Sequence, residues 1–182
     1  MELLRTHLDA VRVIKPRIFA DARGHFFEAY HMKAMSELGI DVPFVQDNQS
    51  YSRRGVLRGL HYQLGRPQAK LVRVLHGRIF DVAVDIRPGS PTFGQWCGEV
   101  LDDVSGLQMY VPTGFAHGFF TMSEVADVLY KCSDFYAPAE ERGIVWNDPA
   151  VGITWPLDGQ MPYLAPKDAA LPKLVDAQIK RI

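Results

Sequence analysis

The chain has 182 residues, 47 % hydrophobic and 23 % charged, with a formal net charge of −1; that length and apolar share suit one domain, residues 1–182, with a filled core. The near-neutral balance gives no electrostatic ground for nucleic acid or an anionic membrane as partner, and no apolar run approaches the roughly 20 residues of a spanning helix. Residues 1–7 lack a secretory apolar region and the two cysteines, Cys97 and Cys132, form no C-x-x-C pair, so reduced thiols in a cytoplasmic protein are expected.

In chain order, residues 10–19 alternate loosely and predict an edge strand broken at Pro16. A turn at 21–24 leads to a strand over 25–30, and residues 31–38 predict a short helix with Gly39 as its C-terminal stop. Residues 44–52 form an extended stretch holding the polar run Gln46-Asp47-Asn48-Gln49-Ser50. Residues 56–63 and 70–75 read as a hairpin around Gly65-Arg66-Pro67. Over 78–87 the alternation is clean: Ile79, Asp81, Ala83 and Asp85 on one face, Phe80, Val82, Val84 and Ile86 on the other. Further strands are expected at 94–101, 107–111, 116–122 and 126–131, and from Pro138 the chain becomes loop-rich and is expected to wrap the rest. Short strands at regular spacing with glycine and proline turns and little helix predict an all-β jelly-roll barrel, its core at about 44–135, with short peripheral helices.

The hairpin carries the chemistry. Alternation puts Leu57, Gly59, His61 and Gln63 on one face and Lys70, Val72 and Val74 on one face of the return strand. A histidine, an amide and a lysine turned into one cavity are costly unless satisfied or used. Gly55, five residues and His61 match the opening of the first cupin motif, which Gly77 closes; Gly106, five residues, Pro112-Thr113-Gly114 and His117 match the second. Gln63 stands where the motif has a second histidine and Lys70 where it has a glutamate. Two imidazoles remain, and an ammonium occupies a carboxylate's place, so no metal site is expected.

The chain resembles the dTDP-4-dehydrorhamnose 3,5-epimerase family of metal-free cupins, through QDNQS at 46–50, GVLRGLHYQ at 55–63, PTGFAHGF at 112–119, LYKCSDFYAPAEERGIVWNDP at 129–149 and PKDAALP at 166–172. Gln49 departs from it, where the family usually has a histidine. The resemblance implies a cofactor-free double-stranded β-helix enzyme that removes and returns the protons flanking a sugar ketone. His61 is then the base, an imidazole suited to working pH, with Asp168 orienting it. Lys70 stabilises the enolate, and Tyr130 is the proton donor. The resemblance puts Arg23, Glu28, Gln46, Asp47, Asn48, Arg58, His117, Glu141 and Lys167 around a dTDP-sugar, with Tyr136 stacked on its base. It also implies a homodimer in which N-terminal residues reach the partner's site. A single-centre epimerase on a related keto sugar, or a non-catalytic nucleotide-sugar-binding cupin, are the alternatives.

Overall fold

A computed structural model describes residues 1–179. Along the chain, β1 (Glu2–His7) and β2 (Val11–Lys15) form one hairpin, and β3 (Ile18–Asp21) and β4 (Gly24–Phe27) form a second. Helix α1 (Met32–Glu37) leads to β5 (Gln46–Arg53), β6 (Leu57–Gln63), β7 (Lys70–His76), β8 (Arg78–Asp85), β9 (Trp96–Asp102), β10 (Gln108–Val111), β11 (Phe115–Thr121) and β12 (Val125–Cys132). Beyond β12 come a short β13 (Glu141–Gly143), the single-turn helix α2 (Pro166–Ala169) and long loops.

Apart from the separate β3–β4 pair, the strands form two facing antiparallel sheets. One runs β1-β2-β10-β7-β12-β5, the other β13-β6-β11-β8-β9. Successive strands from β5 to β8 change sheets at every step, and those from β9 to β12 do the same, which is the jelly-roll connection. Alternation then sends every second side chain inward. Val72, Val74, Met109 and Val128 of the first sheet meet Ile79, Ala83, Leu101 and Phe119 of the second in the central layer. Each of these side chains other than the smaller Ala83 contributes roughly 1.5–3 kcal/mol on burial.

Both outer faces are also covered. The segment after β13 wraps the second sheet, with Trp146, Val151, Trp155 and Leu174 packed on Leu60, Val82, Val84 and Phe120. Asp148 pins this wrap: its carboxylate accepts from the Ala150 N–H at 2.9 Å and the Leu174 N–H at 2.7 Å. On the first sheet, Met35 of α1 and Ile40 after it cover Ile14, Leu71 and Tyr110.

Residues 56–63 and 70–75 do not pair as a hairpin: β6 and β7 lie in opposite sheets, because the chain crosses from one to the other at 64–69. Three further expectations change. Residues 10–19 are not one edge strand. Pro16 separates β2 from β3, and β2 lies inside the sheet because β1 pairs along it. Strand β1 escapes sequence reading because five of its six residues are exposed and Leu3 and Leu4 are adjacent, so no period-two signal exists. The strand expected over 25–30 stops at Phe27. The third change concerns β6. Its ladder with β11 slips between the pairs His61–His117 and Arg58–Phe119, three residues on one strand against two on the other. This β-bulge breaks the alternation. Arg58 and His61 turn toward the cavity, whereas Leu60 and Tyr62 enter the outer layer.

Candidate active site

The bulge depends on Gly59, which takes φ of +114°. A Cβ there would sit 2.7 Å from both Gly118 Cα and the His117 carbonyl oxygen. Only glycine allows both the conformation and the approach. The bulge opens one end of the barrel into a cavity of about 630 Å³. Strands of both sheets supply its walls, with His61 on β6, His117 on β11, Lys70 on β7 and Tyr130 on β12.

His61 is held from a distant point in the chain. Its Nε2 lies 2.7 Å from Oδ1 of Asp168, and the other carboxylate oxygen accepts from the Gly59 N–H at 3.2 Å. The Asp168 side chain is 3 % exposed and that of His61 24 %. Burial pushes the Asp168 carboxyl up, but the hydrogen bond and charge of His61, with the Gly59 N–H, outweigh it and hold the group below the usual carboxylate range. An ionised carboxylate only accepts, so Nε2 is the donor and Nδ1 is left for the cavity. An orienting carboxylate of this kind fixes the tautomer of a base.

Lys70 continues the inward face that carries Val72 and Val74. Burial lowers its ammonium below the usual lysine range, partly offset by Cys132, Asp81 and Glu141. Tyr130 shifts the other way. Burial raises its phenol above the ordinary value, so it keeps its proton. The cavity thus holds an oriented imidazole, a buried lysine and a protonated phenol.

The mouth is polar. Tyr136 O–H donates to Glu141 Oε2 at 2.9 Å, and Lys167 Nζ lies 3.0 Å from Glu141 Oε1. The Tyr136 N–H donates to Gln46 Oε1 at 2.9 Å, and Gln46 Nε2 donates to Asn48 Oδ1 at 3.0 Å. Arg58 donates from Nε to Ser52 Oγ at 3.0 Å and from one terminal nitrogen to the Tyr51 carbonyl at 3.1 Å. Its remaining N–H groups are available to an anion.

Of the residues singled out in the sequence, the cavity gathers His61, Lys70, His117, Tyr130, Asp168, Arg58, Gln46, Asn48, Tyr136, Glu141 and Lys167. Four others stand apart from it. Asp47 is on the opposite face of β5, where both its oxygens lie 3.0 Å from Lys131 Nζ. Arg23 and Glu28 lie at the β3–β4 hairpin, outside this cavity; the Arg23 side chain is 90 % exposed and paired with Asp21. Gln63 does not present its amide to the cavity. It donates to the Arg66 carbonyl and accepts from the Ala137 N–H, each at 2.7 Å, and so braces two loops. Sequence reasoning did not single out Asp81, which pairs with His117 at 2.7 Å. Its signal was an aspartate on the face shared with Ile79 and Ala83.

The donor set does not fit a caged metal ion. The cavity offers two imidazoles with Lys70 beside them, where a caged ion would need further oxygen or nitrogen ligands. Among the described residues no cluster of three or more His, Cys, Asp or Glu side chains has ligating geometry.

Two packed sheets in jelly-roll order with this cavity between them define a cupin-type barrel. A family model described as dTDP-4-dehydrorhamnose 3,5-epimerase matches residues 5–176. The chain is 53 % identical over 178 residues to the dTDP-4-dehydrorhamnose 3,5-epimerase of Pseudomonas aeruginosa, covering 97 % of this chain and 98 % of that one. It is 51 % identical to that of Salmonella typhimurium, over 97 % of each chain. The crystal structure of dTDP-6-deoxy-D-glucose-3,5-epimerase from Legionella pneumophila, in complex with dTDP-4-keto-L-rhamnose, is 50 % identical and superimposes with a TM-score of 0.93 over 96 % of this chain and 93 % of that one. The chain belongs to the dTDP-4-dehydrorhamnose 3,5-epimerase family.

Proposed function

We propose that this protein epimerises dTDP-4-dehydro-6-deoxy-D-glucose at C3 and C5, giving dTDP-4-dehydro-L-rhamnose, without a cofactor. The observation that carries the reading is the meeting of three groups in one cavity: His61 oriented by Asp168, the Lys70 ammonium and the Tyr130 phenol. The protons at C3 and C5 flank the C4 carbonyl and leave as that carbonyl becomes an enolate. His61 Nδ1 takes the proton and releases it to solvent before the second carbon reacts, and Lys70 stabilises the negative oxygen in a shielded site. Tyr130 O–H returns a proton to the carbon from the opposite face, and its phenolate is reprotonated from solvent. Arg58, Gln46, Asn48, Glu141 and Lys167 hold the nucleotide end, where a guanidinium suits phosphate and Tyr136 offers a face to the base.

Arg23 and Glu28 fit this scheme as contributions from a second copy, in a homodimer. What supports it is their distance from the cavity of their own chain, on a hairpin that exposes Phe19 and Phe26. Replacing Phe26 with Asp should yield monomers in sedimentation and raise KM; an unchanged dimer or unchanged KM would count against it. The unbridged thiols of Cys97 and Cys132 support a cytoplasmic setting.

The test is turnover in heavy water with metal-stripped protein. Deuterium at both C3 and C5 with inversion at each is the expected result. Exchange and inversion at one carbon alone would make it a single-centre epimerase. Substrate recovered without deuterium would reject an enzymatic role.

A further inference from the structure

A second imidazole–carboxylate pair lies in the same cavity. His117 is the register partner of His61 in the β6–β11 ladder, and its Nε2 is 2.7 Å from Oδ1 of Asp81. Asp81 is fully buried in the middle of β8, and its Oδ2 has no hydrogen-bond partner among the described residues. Its surroundings are the apolar layer of Ile79, Ala83 and Phe119. A sealed carboxylate with one unpaired oxygen costs free energy. An apolar residue would fill that place at lower cost, so the carboxylate points to a role in the site.

The pairing also sorts the two nitrogens of His117. With Nε2 donating to the carboxylate, Nδ1 is the atom that faces the cavity. In the neutral ring Nδ1 can only accept; it donates to an anionic oxygen only after gaining a proton. The groups facing the pair are Lys70 on β7, His61 on β6, Tyr130 and Cys132 on β12, and Cys97 and Glu99 on β9, with Glu141, Lys167 and Asp168 in the cavity wall. Burial holds the His117 imidazole below its ordinary pKa; Lys70 and His61 push the same way, and Asp81 pulls back. The ring is therefore neutral in the free protein at pH 7, and an arriving diphosphate adds the negative charge that tips it.

We propose that Asp81 is a positioning residue for ligand capture: it holds His117 so that, when an anionic ligand fills the cavity, Nδ1 takes up and keeps one proton from solvent and donates a hydrogen bond to the ligand. This rests on reading the ligand as a nucleoside-diphosphate sugar, and it is separate from the chemistry of His61.

The experiment is calorimetric titration with dTDP alone, near pH 7.5, in two buffers of different ionisation heat. Wild type should take up close to one proton. Asp81→Asn should bind about 10- to 100-fold more weakly and take up almost none. Binding and uptake unchanged in Asp81→Asn, or uptake that vanishes in Lys70→Gln while persisting in Asp81→Asn, would overturn the proposal. If Asp81→Asn folds poorly, nitrogen-15 histidine spectra of the unsubstituted protein decide. His117, assigned through His117→Gln, should carry a proton on Nε2 alone when free and on both nitrogens with dTDP; a ring that stays neutral refutes it. Failure of dTDP to bind at all would reject the ligand class, whereas binding without proton uptake would reject only this inference.

Discussion

Asp168 and His61 lie 107 positions apart in sequence and 2.7 Å apart in space. One belongs to the loop-rich wrap, the other to the bulged strand at the heart of the barrel. His61→Ala should lower turnover by about 10²–10⁴. Asp168→Asn should lower kcat with KM nearly unchanged, because the base is misoriented while the binding groups stay in place. Steady-state kinetics check both. A large rise in KM with kcat intact would assign the pair to binding instead.

In the proposed mechanism Tyr130 separates proton loss from proton return. Tyr130→Phe keeps His61 and Lys70, so substrate should still exchange deuterium from solvent. The sugar recovered should be mostly uninverted. Proton NMR of the reaction mixture reads exchange and configuration together, and normal product yield would remove the phenol from the mechanism.

In the proposed mechanism Lys70 acts as an ammonium, and burial lowers its pKa from the usual 10.5. The rate should therefore fall as pH rises through that lowered value, while the Tyr130 phenol, which is shifted upward, ionises above its ordinary 10.0. Lys70→Gln should cost about 10²–10³ in kcat and lose that basic limb. A basic limb that stays where it was in Lys70→Gln would trace it to another group.

Asp85 is a stability residue outside the chemistry. Burial pushes its carboxyl up, yet hydrogen bonds from Arg87, Ser90 and Thr92 bring it from 3.8 down to about 2. A folded pKa below the unfolded one means stability present above the unfolded value and lost as pH falls through 3.8 toward 2. That contribution is about 2–2.5 kcal/mol near neutrality. Asp85→Asn should lower the melting temperature by several degrees at pH 7. The gap to wild type should narrow in acid, as thermal melts at pH 7 and pH 3 would show. A constant gap would mean that the loop is held by its backbone alone.

Much of the barrel was legible from the sequence. Strand β8 shows its two faces by alternation, because one side packs on the central layer and the other under the wrap. Gly55, His61, Gly106 and His117 stand at motif spacings because turns and inward side chains recur at fixed intervals along strands. Lys70 announced itself by sharing a face with two valines. The pairing of His61 with Asp168 could come only through the family resemblance, since α2 is a single turn whose aspartate looks like any helix-start residue. The bulge at Gly59, which turns Arg58 inward beside His61, could not be read, because register slips arise between strands and leave no period in either one. The same holds for Asp81 against His117 and for Asp47, which lies on the outer face of a strand whose run is polar on both sides. Local alternation is written residue by residue, so sequence carries it; which side chains meet across the barrel depends on how distant strands register and cross, and only folding fixes that.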